Sequence, residues 1–85
     1  MNTVHWTNKA VRQLRKLDRK IQVDIRDTVS RKLPHFPDCS GVKALTNHDC
    51  DYRLRIGNYR VLFDHHSGIK IISIEEVKKR DDNTY

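Results

Sequence analysis

The chain has 85 residues, of which 36% are apolar and 33% charged, and it carries a formal net charge of +6. A chain of that length predicts one small domain over residues 1–85, burying only ~60–65% of its unfolded surface, with room for little more than one sheet and helices on one face. The basic balance suits phosphates, acidic membranes or an acidic protein, and no apolar run approaches the ~20 residues that a membrane-spanning helix needs.

Thr3-Val-His-Trp6 is predicted as a short strand, and the polar lead-in Met1-Asn-Thr-Val-His-Trp6 has none of the pattern of a signal peptide. With Cys39 and Cys50 in neither a C-x-x-C pair nor a zinc spacing, the default is a cytoplasmic protein with reduced thiols. Thr7 or Asn8 then caps a first helix that carries Ala10, Leu14 and Leu17 at helical spacing. Asp18 caps a second, whose Ile21, Ile25, Val29 and Leu33 form one apolar stripe ended by Pro34 and Pro37. The outer positions of this helical pair are basic, which amphipathic helices commonly show without any ligand. Residues 34–41 read as a loop, and Val42-Lys-Ala-Leu45 leads through the polar link Thr46-Asn-His-Asp-Cys50.

Next comes Tyr52-Arg-Leu-Arg-Ile-Gly-Asn-Tyr-Arg-Val-Leu-Phe63, in which Gly57-Asn58 is a two-residue turn with glycine first, the type II′ preference. Closing the turn there sets Arg55 opposite Arg60 and Leu54 opposite Val61. Tyr52, Leu54, Ile56, Tyr59, Val61 and Phe63 then share one face, and Arg53, Arg55 and Arg60 the other. Like charges directly opposite one another destabilise a sheet pair, so folding alone does not favour Arg55 against Arg60. An anion on that face would.

Asp64-His-His-Ser-Gly68 has turn chemistry, Ile69-Lys-Ile-Ile-Ser-Ile74 is a strongly apolar strand, and a charged tail runs from Glu75 to Tyr85. The predicted order is β-α-α-β-β-β. This is an α+β fold with a short N-terminal strand, a helical hairpin, and a three-stranded antiparallel meander in one twisted sheet.

Arginine's planar fork binds phosphate oxygens bidentately, so Arg53, Arg55 and Arg60 suit a phosphodiester better than a neutral metabolite. Solubilising an exposed face or pairing with acids of a partner protein is the plainer alternative, and lysine would serve it as well. Arg80 and Tyr85 add a cation and a phenol able to stack on a base or move a proton. His48 stands just ahead of the arginine strand, whereas His65 and His66 fall in the predicted turn. No metal-ligand cluster and no glycine-rich phosphate loop is evident, and no cofactor is expected.

In combination, the basic helical hairpin, Lys43-Ala-Leu45, Tyr52-Arg-Leu-Arg, Gly57-Asn-Tyr-Arg-Val61 and Val77-Lys-Lys-Arg…Tyr85 resemble the RelE/ParE superfamily of bacterial type II toxins over nearly the whole chain. The resemblance implies a RelE-like endoribonuclease that enters the ribosomal A site and cuts mRNA without a metal, by attack of the 2′-hydroxyl on the adjacent phosphate. It implies a cognate antitoxin that blocks the basic site, with operator DNA engaged only through the toxin-antitoxin complex. Carried over residue by residue, the site comprises Arg53, Arg55, Arg60, Arg80 and the base-stacking Tyr85. RelE proper has lysines where this chain has Arg53 and Arg55, and one of them has been proposed as the general base. Arginine, with a pKa above ~12, is a poor base near neutrality. Either His48, Asp81 or Asp82 supplies the base, or the arginines hold the phosphate while Tyr85 or solvent moves the proton.

Two other readings follow from the same resemblance: a ParE-like inhibitor of DNA gyrase, and a degenerate member that only binds antitoxin or nucleic acid. The basic strand residues together with the terminal tyrosine favour the ribonuclease.

Overall fold

A computed structural model describes residues 1–46 and 48–79. Arg80, Asp81, Asp82 and Tyr85 therefore lie outside the described residues.

Strand β1 (Thr3–Trp6) is followed by helices α1 (Asn8–Arg15) and α2 (Arg19–Lys32). Thr7 makes the first junction. Its Oγ1 accepts a hydrogen bond from Ala10 N at 3.2 Å, capping α1, and donates to Ile74 O at 2.8 Å, fastening the cap to the last strand. Asp18 occupies the N-cap position of α2 without a side-chain cap bond. The corner between the helices is closed instead by Gln22, whose Nε2 donates to Leu17 O at 2.7 Å. A 3-10 turn, Leu33–His35, ends α2 at Pro34, where the missing N–H and the clash of the ring with the preceding turn favour termination.

Strands β2 (Val42–Ala44), β3 (Tyr52–Ile56), β4 (Tyr59–His66) and β5 (Ile71–Lys79) form an antiparallel meander, and β1 joins in parallel beside β5, giving the order β1-β5-β4-β3-β2. The α+β architecture is the one expected from sequence, with β2 as an additional strand. Its three residues are too short to show alternation, and they read as a strand only because Val42, Lys43 and Ala44 pair with Leu54, Arg53 and Tyr52. Both ends of the last hairpin also extend further than expected. Asp64, His65 and His66 continue β4 instead of turning, and β5 begins at Ile71 and carries Glu75 to Lys79 within the ladder. The turn is displaced to the residues just before β5, where Lys70 takes a positive φ of 54°.

The core lies between the helices and one face of the sheet. Ala10, Leu14, Ile25, Val29 and Leu33 meet Leu54, Val61, Phe63, Ile72, Ile74 and Val77, all buried. One end is closed by an aromatic group in which Phe36 stands edge-on to Tyr52, Phe63 and His65, with ring centroids at 4.8, 5.4 and 4.9 Å. Among the described residues no helix is long and apolar enough to cross a membrane.

Candidate functional site

The hairpin closes in the register its sequence dictates. Gly57 has a positive φ of 57°, Asn58 does not, and Ile56, Arg55, Leu54, Arg53 and Tyr52 stand opposite Tyr59, Arg60, Val61, Leu62 and Phe63. Leu54, Val61 and Phe63 enter the core, so Arg53, Arg55 and Arg60 are left on the outer face. Arg53 and Arg60 are half-buried and Arg55 is exposed. Arg53 Nε is buried and meets no hydrogen-bond acceptor among the described residues. A buried donor left in that state costs roughly 1–3 kcal/mol, a deficit that an anionic oxygen would remove.

The neighbouring strands enlarge the patch. Lys43 on β2 faces Arg53, and Lys78 on β5 faces Arg60. Two transverse rows result: Arg55, Arg60 and Lys78 in one, and Lys43, Arg53, Leu62 and Glu76 in the other. Sequence alternation missed Lys78 for a specific reason. Counting in twos from the buried Ile72 and Ile74 would send Glu76 and Lys78 inward, but a β-bulge intervenes. Phe63 pairs with Ile74 while Leu62 pairs with Glu76, so Glu75 is the extra residue, Val77 turns inward and Lys78 turns out. The three-residue gap between Ile74 and Val77 was the available signal.

Glu76 is the acid within this array. Burial pushes its carboxyl up, and the ammonium groups of Lys9 at 3.1 Å and Lys78 at 3.7 Å more than offset that, leaving it below its ordinary value. Beyond Glu76 the face changes sign. Burial pushes the Cys50 thiol up to about 11, helped by the charges of Asp64, Glu76, Glu75 and Asp49. The outer face is thus cationic toward the hairpin turn and anionic around Cys50.

Of the nominated bases, His48 is exposed, and its Nδ1 accepts from Cys50 N at 3.1 Å, which fastens the ring to its own loop. His65 is half-buried on β4 with Nε2 at 3.2 Å from Asn2 Oδ1, away from the arginines. Among the described residues no three His, Cys, Asp or Glu side chains are grouped to hold a metal ion. A cavity of about 700 Å³ lies between α2 and the hairpin turn, lined by Ile21, Ile25, Ile56 and Tyr59 with Asp24, Asp27 and Arg31. Its apolar floor, and two carboxylates against one guanidinium, do not suit a phosphate.

Comparison with known proteins agrees with this architecture. Residues 4–84 match the family model described as the ParE toxin of the type II toxin-antitoxin system parDE. The chain belongs to the ParE toxin family, within the RelE/ParE superfamily. It is a type II toxin by family, and solved structures place its fold beside RelE toxins. It is similar to a chain of the Mycobacterium tuberculosis RelBE2 toxin-antitoxin complex at 26% identity and a TM-score of 0.73, covering 93% of this chain and 98% of that one. A chain of the archaeal RelE-RelB complex from Pyrococcus horikoshii OT3 gives 26% identity and a TM-score of 0.70, covering 95% and 97%. The isolated Escherichia coli RelE toxin shares the fold at a TM-score of 0.77 with 15% identity, over 99% of this chain and 89% of that one. No curated protein sequence matches closely enough to count as a relative.

Proposed function

We propose that this toxin is a metal-independent endoribonuclease that cuts mRNA in the ribosomal A site and so arrests translation. The observation that carries the reading is the row Arg55, Arg60 and Lys78, three cations directly opposite one another across three strands. Like-charge neighbours at strand spacing are unfavourable unless an anion lies over them, and a phosphodiester supplies that anion in the form arginine binds best. In the reaction the 2′-hydroxyl attacks the adjacent phosphate and leaves a cyclic phosphate. Arg55 and Arg60 grip the phosphate oxygens on which charge accumulates, a form of stabilisation that a rigid strand pair provides without reorganisation. Arg53 holds a neighbouring phosphate. Arg80 and Tyr85 complete the site, the first as a further cation and the second by stacking on the substrate base; His48, Asp81 and Asp82 are the auxiliary bases to test.

The protein acts with a cognate antitoxin that covers the basic face, and it reaches operator DNA only through that complex. Two solved structures that this chain resembles over nearly their whole length are described as toxin-antitoxin complexes, which supports such a partner.

The test is a translation extract with primer extension on a defined message. Wild-type toxin produces new 5′ ends within codons, and Arg60→Ala lowers the cleavage rate by about a hundredfold or more; Tyr85→Ala lowers it as well. Full inhibition of translation without new ends, or cleavage indifferent to both substitutions, overturns the assignment. A second reading, inhibition of DNA gyrase, is favoured by the description of the matching family as ParE. A supercoiling assay with purified gyrase, run in parallel, decides between the two.

A further inference from the structure

We infer that Lys78 is a catalytic residue of this site, the general acid that protonates the departing 5′-oxygen. The inference rests on the ribonuclease reading above and assigns a role that its arginines cannot perform. When the 2′-oxygen bonds to phosphorus, the bond from phosphorus to the 5′-oxygen breaks, and an alkoxide leaves unless a proton meets it. Among the described residues the strand cations of this face are Lys43, Arg53, Arg55, Arg60 and Lys78, while Lys9 reaches it only from α1 and is held by Glu76 at 3.1 Å. Arginine does not release a proton in the working range, so among these strand cations the choice lies between Lys43 and Lys78.

Position selects Lys78. Attacking and leaving oxygens stand in line on opposite sides of phosphorus, with charge gathering on the equatorial oxygens between them. A phosphate gripped by Arg60 is flanked by Arg55 on one strand and Lys78 on the other, each about 5 Å away at strand spacing. Lys43 is in the other row, beyond Arg53 on the edge strand. The bulge at Glu75 is what turns Lys78 onto this face. Glu76 steadies it at 3.7 Å but lies nearer to Lys9 at 3.1 Å, and the Lys78 side chain remains 45% exposed, open to substrate. In the step itself the Lys78 ammonium gives its proton to the 5′-oxygen as that bond breaks, the 2′-hydroxyl proton passes to water, and solvent reprotonates the amine.

The experiment compares wild type, Lys78→Arg and Lys78→Ala on ribosomes carrying either normal mRNA or mRNA with sulfur in place of the scissile 5′-oxygen. Thiolate leaves without a proton. Lys78→Arg keeps the charge, so it retains ribosome binding, cuts the normal message about a hundredfold more slowly, and cuts the thio message at close to the wild-type rate. Lys78→Ala is slowed on both, more severely on the normal message. Thermal melting of each variant verifies folding. Wild-type rates for Lys78→Arg on normal mRNA overturn the inference, as does an equal slowing on both messages, which reduces Lys78 to a positioning charge. A wild-type toxin that cuts neither message fails the ribonuclease reading itself, a result distinguishable from both.

Discussion

Glu76 Oε1 lies 3.1 Å from Lys9 Nζ, and this pair ties the first turn of α1 to the outer face of the sheet. Glu76 is 15% exposed, so its charge is worth more than that of a fully solvated carboxylate, while Lys9, at 62%, limits the gain. Replacing Glu76 with Gln is expected to cost about 1 kcal/mol at neutral pH, measured by urea denaturation. The sign of the pH dependence follows from the lowered carboxyl. A group ionised more readily in the folded state stabilises above its unfolded value, near 4.5, and loses that contribution as pH falls through the lower folded value. The difference between wild type and Glu76→Gln therefore persists at pH 7 and closes below pH 4.5. A gap that stays constant down to acid pH would show that the charge is not responsible.

Arg55 opposite Arg60 sets stability against function. Substituting Arg55 with Ala removes a like-charge neighbour from an exposed strand position, so stability should be unchanged or rise by about 0.5 kcal/mol, the gain shrinking as salt is added. The same variant should lose RNA cleavage by about a hundredfold. Denaturation at low and high salt, alongside the primer-extension assay, reads both quantities. A variant that is both less stable and less active would point to an ordinary structural role.

The hairpin was legible because its information is local. Gly57-Asn58 and the strict alternation around it fix five cross-strand pairs without reference to the rest of the chain. The helical stripe Ile25, Val29 and Leu33 was legible for the same reason and is buried as its spacing implies. Lys43 and Lys78 join the site through pairings that simple alternation does not encode: an edge strand of three residues, and a strand whose alternation is interrupted at Glu75. Glu75 to Lys79 contains one apolar residue, Val77, and looks like a solvated tail until Val61 is placed across from it. Phe36 was likewise hidden in a predicted loop, and its place against Tyr52, Phe63 and His65 is purely tertiary.

Cys50 should be nearly inert toward alkylation in the folded protein. It is 4% exposed, and burial with the surrounding carboxylates moves its thiol from 9.0 to about 11, so thiolate at pH 8 is roughly a hundredfold scarcer than for an ordinary cysteine. Cys39 is also raised, chiefly by burial, but it is only half-buried. Iodoacetamide followed by peptide mass analysis should label Cys39 first and Cys50 only on unfolding. Equal labelling rates would contradict the burial of Cys50. Because the thiol is held protonated, stability should also fall as pH rises from 9 toward 11.

Gly57 separates backbone strain from steric crowding. An added Cβ there would meet nothing within 4 Å, so any cost of substitution comes from the positive φ of 57° alone. An L-alanine resists that conformation by about 1–2 kcal/mol, whereas a D-alanine prefers it and also restricts the unfolded chain. Semisynthesis with ligation at Cys50 gives access to both forms. Gly57→Ala should lower stability by about 1 kcal/mol, and the D-alanine form should match or exceed the wild type. Since the turn sets the register that aligns Arg55 with Arg60 and Lys78, the D-alanine form should also keep full cleavage. Losses of equal size in the two forms would mean that the new methyl group, and not the turn conformation, is what the hairpin cannot accept.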